Sequence, residues 1–237
     1  DVYKRQVETL SVPMRATIAN MGAELGATTT VFPSDRRTFE FFAARGRRAD
    51  WAPLTADEDA EYDEEITIDL SALHPLAAQP HSPDNVVPIS EIEGIKVDQV
   101  CIGSCTNSSF CDLMRVAGIL EGRHVAENVS LTISPGSRQV LKALANNGAL
   151  GTLVTAGARI LECACGPCIG MGQAPATGAV SLRTFNRNFY GRSGTPSANV
   201  YLVSPEAAAV SAVTGVLTDP ETYGLKPMYD VPEHFEI

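Results

Sequence analysis

From Lys96 to Gly215 the chain alternates between short runs rich in β-branched residues and longer stretches with helical spacing. "KVDQVCIG" reads as a buried strand and "SSFCDLMRVAGIL" as a helix. "VSLTIS" reads as a strand, and "PGSRQVLKALANNG" as a helix opened by Pro135 and stopped by Gly148. "TLVTAG", "AVSLRTF" and "NVYLVS" read as further strands, and "PEAAAVSAVTG" as a helix again opened by proline. Such alternation admits few folds. Parallel strands need a crossover, and the crossover helices cover the sheet. The expected class is therefore α/β: layered domains with mostly parallel sheets flanked by helices.

In sheets of this kind ligands gather at the carboxyl ends of the strands. "GSCTNSS" falls there, just after the strand ending at Ile102, and "NRNFYGR" follows the strand ending at Phe185. "CACGPC" comes a few residues after "TLVTAGARIL". Three loops converging on one sheet edge define a site before any chemistry is considered.

The earlier part of the chain is less regular. "MRATIANMGAEL" has helical spacing and ends near Gly26; "ATTTVF" reads as a strand. "SDRRTFEFFAARGR" reads as a helix capped by Ser34 or Asp35, with Phe39, Phe42 and Ala43 on one face. The acidic run from Thr55 to Glu65 reads as a solvated segment, and "ITIDL" as a short strand. His74 to Pro88 is rich in proline and without periodicity, so it reads as an extended connection at a domain boundary. The expected organisation is a first α/β region over 1–80, a second over 89–217, and a linker over 218–237.

With 44% hydrophobic residues the chain can bury one large core or two modest ones. No apolar run approaches the roughly 20 residues of a membrane span, and "DVYKRQVETL" has no apolar signal stretch. This implies a soluble, cytoplasmic protein without a membrane partner. The net charge of −10 argues against nucleic acid, which needs clustered Lys and Arg. An anionic substrate would need a locally positive site.

Six cysteines in a non-secreted chain do not suggest a disulfide framework. Cys101, Cys111 and Cys163 read as buried small apolar residues. Cys165 and Cys168 form C-x-x-C with glycine and proline between them, which permits a tight turn. Such a pair suits a zinc half-site, a redox pair or an iron–sulfur half-site. A structural zinc site wants four ligands, usually as two pairs, and no second pair exists. His81 and His124 sit in unpatterned surroundings and read as surface residues. A redox pair wants its first cysteine at a helix start, and "GPCIGMGQAP" is a poor helix. Cys105 in "GSCTNSS" is the remaining partner. Electron-carrying clusters are usually held by four cysteines; three would leave one iron without a thiolate, able to act as a Lewis acid. Arg187 and Arg192 fall near the same edge, where the guanidinium fork suits a polycarboxylate.

At this point the sequence resembles the aconitase family of iron–sulfur hydro-lyases, which includes aconitase, homoaconitase and the large subunit of isopropylmalate isomerase. The matching segments are "TIANMGAELGATTTVFPSD", "CIGSCTNSS", "ECACGPCIG", "TFNRNFYGR" and "YLVSPEAAAVSAVTG", in family order. The resemblance implies that Cys105, Cys165 and Cys168 bind a 4Fe–4S cluster. It implies that Asn186 contacts the cluster surroundings and that Arg187 and Arg192 bind carboxylates of a tricarboxylate or dicarboxylate substrate. Asn20 and Glu24 match an active-site pair, with Glu24 hydrogen-bonding water or hydroxyl at the open iron. From spacing alone Glu24 would read as a solvated helix residue. The implied reaction is isomerisation of citrate and isocitrate through cis-aconitate, since "GATTTVFPSD" looks more like aconitase than the isopropylmalate enzymes. The alternatives are homoaconitase, a 3-isopropylmalate dehydratase large subunit, an iron-sensing RNA-binding relative, and a structural zinc module. The resemblance also implies a fragment. Family enzymes carry an N-terminal region and a C-terminal swivelling domain that are not in this sequence, unless the swivelling domain is a separate partner subunit. "DVPEHFEI" resembles the start of the linker to it, "DVYKRQ" does not resemble the family, and the fragment alone is expected to be inactive.

Overall fold

The computed structural model describes residues 7–223, which fall into two compact units, 7–74 and 75–223. The opening "DVYKRQ" and the linker beyond residue 223 lie outside the described residues.

In the first unit Ser11 caps α1 (Val12–Met21), which passes into one 3-10 turn over Gly22–Leu25 and stops at Gly26 in the left-handed conformation. Asp35 caps α2 (Arg36–Ala43), accepting from the N–H groups of Arg37 and Thr38 at 3.0 and 3.2 Å. The strands expected at "ATTTVF" and "ITIDL" do not form. Among the described residues of this unit no strand runs beside either segment, and a β-run without a ladder leaves its backbone groups to water. Ile66 and Ile68 accordingly stand exposed.

Arg15 organises this unit. Its guanidinium is 4% exposed and donates to the carbonyls of Val7 (2.9 Å), Leu10 (3.1 Å) and Pro33 (2.9 Å), and to both carboxylate oxygens of Asp35 at 3.0 and 2.6 Å. Burial opposes the charge on Asp35, but the hydrogen bonds from Arg15 and the Thr38 N–H, with the Arg15 charge, hold its pKa below the ordinary value. Removing one partner of a buried pair leaves the other charge uncompensated, so Asp35→Asn is expected to cost about 3 kcal/mol at neutral pH. Because the folded pKa is depressed, this contribution is complete above the ordinary carboxylate range and lost as pH falls through the lowered pKa. Denaturant unfolding of wild type and Asp35→Asn should therefore differ at pH 7 and converge in acid.

The second unit holds a seven-stranded sheet in the order β2-β1-β7-β6-β3-β4-β5. Its strands are β1 (Leu76–Ala78), β2 (Val86–Pro88), β3 (Gln99–Ile102), β4 (Ser130–Ile133), β5 (Arg159–Ile160), β6 (Val180–Arg183) and β7 (Asn199–Leu202). The five from β7 to β5 are parallel, and β1 and β2 add an antiparallel hairpin at one side. The class is α/β, as the alternation predicts. The proline-rich connection differs from its reading: it forms β1 and β2. Proline is tolerated because β2 is the edge strand and Pro88 ends it.

α3 (Phe110–Leu120) starts with a reciprocal cap between Ser109 and Asp112, packs against α6 (Pro205–Thr214), and is tied to it by Arg115–Glu206 at 3.0 Å. α4 (Arg138–Asn146) is capped by Ser137, three residues into its expected span. "TLVTAG" is helical: α5 (Ala149–Thr155) begins directly after Gly148, whose φ of 85° turns the chain out of α4. Ala149, Leu153 and Ala156 are buried while Val154 is exposed, a helical spacing that outweighs the β-branched content. All four residues of β3 are buried, so both faces of the sheet are covered there. No helix among the described residues is long and apolar enough to cross a membrane.

The topology selects one crevice. From β3 the chain steps outward to β4 and β5, then returns to β6 on the other side of β3 and continues to β7. The order reverses between β3 and β6, and the connections leaving their carboxyl ends diverge, which opens a cleft there.

Candidate active site

The loops after β3 and β6 meet at this cleft and are stitched together. Gly103 N–H donates to Thr184 Oγ1 at 2.8 Å, Asn107 Nδ2 to the Thr184 carbonyl at 2.8 Å, and Thr106 Oγ1 to Asn186 Oδ1 at 2.8 Å. Asn107 adopts a φ of 52°, which a short amide side chain tolerates better than most. Ser108 Oγ closes the β3 loop onto the Ser104 carbonyl at 2.6 Å. Several buried polar residues lie in these loops: Ser104, Thr106, Ser108, Thr184, Asn186 and Ser193. Buried hydroxyls and amides at strand ends mark a site rather than a core.

The loop after β5 brings in the C-x-x-C. Gly166, Pro167 and Gly170 turn it through one 3-10 turn, and Gly170 (φ 89°) lies so close to Ser193 that a Cβ would collide with the Ser193 carbonyl. Cys165 and Cys168 Sγ stand 3.7 Å apart, and neither is in a disulfide. The hydrogen bond and charge of Cys168 push the Cys165 thiol up; burial and the charge of Cys105 add to this, and the Gly166 N–H works against it. Cys105 is exposed at the tip of the β3 loop. Arg192 Nη2 lies 3.9 Å from Cys168 Sγ, its guanidinium carbon 5.4 Å from the Phe189 ring centre, and its buried Nε has no hydrogen-bond partner. Arg187 is half-buried in the same loop.

Asn20 and Glu24 lie in the first unit, Asn20 in α1 and Glu24 in the following 3-10 turn, both half-buried. Cys101 is buried as expected, whereas Cys111 and Cys163 are only half-buried. Two residues were not singled out from the sequence. Asn188 is fully buried and donates to Gln79 and Val200 carbonyls at 2.8 and 3.0 Å, which pins the β6 loop to β1 and β7. Arg183 is fully buried at the end of β6 and donates to the carbonyls of Pro167 and Gln173, which flank Cys168. A lone arginine ending a strand pattern was the available signal.

The donor set suits an iron–sulfur group. Three thiols within electrostatic reach of one another repel as thiolates, so a bound cation is what stabilises them together. Among the described residues no three His, Cys, Asp or Glu side chains converge to hold a single ion.

An α/β unit with cysteine loops at its switch point defines a class, and comparison with known proteins identifies the family. The model of the aconitase family (aconitate hydratase) matches residues 5–93 and 90–215. A 3-isopropylmalate dehydratase large subunit from Archaeoglobus fulgidus is 46% identical over 217 residues, 91% of this chain and 52% of the relative. One from Methanopyrus kandleri is 45% identical, covering 92% of this chain and 52% of its own, and one from Thermotoga maritima 43% identical, covering 92% and 53%. The chain belongs to the aconitase family. It spans about half the length of the curated relatives it matches. These relatives favour the isopropylmalate alternative over the citrate reading drawn from "GATTTVFPSD".

Proposed function

We propose that the chain is the cluster-bearing part of a hydro-lyase of the 3-isopropylmalate dehydratase type, working with a separate small subunit that completes the pocket. What supports this is the meeting of the Cys105 loop, the Cys165–Cys168 turn and Arg192 at one switch-point cleft, in a chain whose relatives carry that name.

Cys105, Cys165 and Cys168 would hold a 4Fe–4S cluster, which supplies an iron without a protein thiolate as Lewis acid for a leaving hydroxyl. The chain's own side chains bind and orient. Arg192, with Nε unpartnered and a face against Phe189, offers a fork to a substrate carboxylate, and Arg187 offers a second. Together they make a locally positive site on a chain of net charge −10. Asn186, held by Thr106, fixes where the arginine loop leaves the sheet. For Asn20 and Glu24, both in the first unit, a catalytic role rests on the family match alone. The reaction removes a hydroxyl and a neighbouring proton and returns them to the opposite carbons.

The test is turnover by this chain in the full-length subunit, assembled with a small subunit and an anaerobically reconstituted cluster. 3-Isopropylmalate should exceed citrate in kcat/KM by roughly tenfold or more, since a hydrophobic substituent is discriminated on that scale. A preference for citrate would overturn the substrate assignment.

A further inference from the structure

We propose that Arg183 is the positioning residue of the Cys165–Cys168 turn, clamping it by the carbonyls of Pro167 and Gln173. This rests on the cluster reading above.

Arg183 has no exposed surface, and its partners are all neutral: Ser181 Oγ at 3.0 Å, Gln99 Oε1 at 2.9 Å, the Pro167 carbonyl at 2.7 Å and the Gln173 carbonyl at 2.6 Å. Among the described residues no carboxylate accepts from it. A buried cation without a counter-ion is costly unless its protons are satisfied and negative charge lies near. The hydrogen bonds meet the first need. Burial disfavours its charge, and the sulfurs of Cys101 and Cys168 favour it. The charge is thus complementary to a turn that must carry thiolates.

The geometry is that of a clamp. Pro167 precedes Cys168 directly, and Gln173 closes the turn, with Gln99 Nε2 also reaching the Gln173 carbonyl at 3.4 Å. One planar fork with fixed donor directions spans both carbonyls, a task an ammonium cannot do. The close approach of Gly170 to the Ser193 carbonyl holds the turn from the side. A plain packing role would instead end at the sheet, with Arg183 merely joining β3 to β6 through Gln99 and Ser181. Removing it would then lower stability without changing the sulfur pair.

Phenylarsine oxide separates the two roles in the cluster-free protein, because the arsenical condenses with two adjacent thiols and releases water. Wild type should bind it tightly, and Cys165→Ser sets the baseline. Arg183→Gln should bind about tenfold more weakly while folded, the scale on which groups supporting ligands act. Arg183→Lys, which keeps the charge but reaches one carbonyl, should fall between and serves if Arg183→Gln does not fold. A folded Arg183→Gln or Arg183→Lys with wild-type affinity overturns the proposal, as does wild type binding no better than Cys165→Ser. Iron and sulfide uptake is read in parallel. Arsenical binding that follows Arg183 in a wild type that takes up no cluster supports the clamp and contradicts the cluster reading. Cluster uptake with unchanged arsenical binding in the variants does the reverse.

Discussion

Replacing Cys165 with serine is expected to abolish iron and sulfide incorporation, from about four of each per chain to background. The proposed site has three thiols and no spare. A serine hydroxyl stays protonated at neutral pH and is a hard, weak donor to iron, so only two ligands would remain. The same holds for Cys105 and Cys168. Cys163 provides the contrast: it shares the segment, yet it is half-buried and its thiol is pushed up chiefly by burial. Cys163→Ser should keep the wild-type iron content, measured by metal analysis after anaerobic reconstitution. Loss of iron in Cys163→Ser with retention in Cys165→Ser would move the ligand set and undo the assignment.

The second large effect is on the backbone beneath the site. Gly103 leaves β3 with a φ of 79°, and a Cβ there would overlap the Ser134 carbonyl and stand 2.5 Å from Ser108 Cβ. Both obstacles are short-range structure of the β3–β4 edge: Ser134 N–H bonds the Ile102 carbonyl at 2.9 Å, and Ser108 closes the cysteine loop. Neither can retreat without breaking a hydrogen bond. Gly103→Ala is expected to cost roughly 3 kcal/mol, the left-handed penalty plus overpacking. Gly122 is the control, with a φ of 69° and nothing near its Cβ position. Gly122→Ala should cost only about 1–2 kcal/mol, the conformational part. Denaturant midpoints read both, and equal losses would mean that the crowding at Gly103 relaxes freely.

The parts of the fold that local rules decide were legible. The helical spacing of "SSFCDLMRVAGIL", the proline that opens "PEAAAVSAVTG", and the apolar runs of β3, β4, β6 and β7 each carry their own signal, and the elements form where those signals lie. Several of the failures were cases where a partner decides. "ATTTVF" and "ITIDL" have β composition but no neighbouring strand among the described residues. "LAA" at Leu76–Ala78 has weak β composition but pairs with Leu202 of β7 and with β2. In "TLVTAG" the burial period of Ala149, Leu153 and Ala156 wins over β-branched content. The site divides in the same way. Cysteine spacing pointed to the loops, because ligand chemistry is written in residue type. Arg183 and Asn188 could not be read, because their work is to hold carbonyls distant in the chain, and nothing in a strand pattern says which carbonyls those are.

In the proposed site three thiolates hold a cluster and one iron is left to the substrate. EPR with iron counting on the anaerobically reconstituted chain, before and after mild oxidation, is the decisive measurement. About one iron in four should leave first, giving a three-iron signal, because one iron lacks a protein thiolate. Four irons held alike, or zinc in their place, would contradict it.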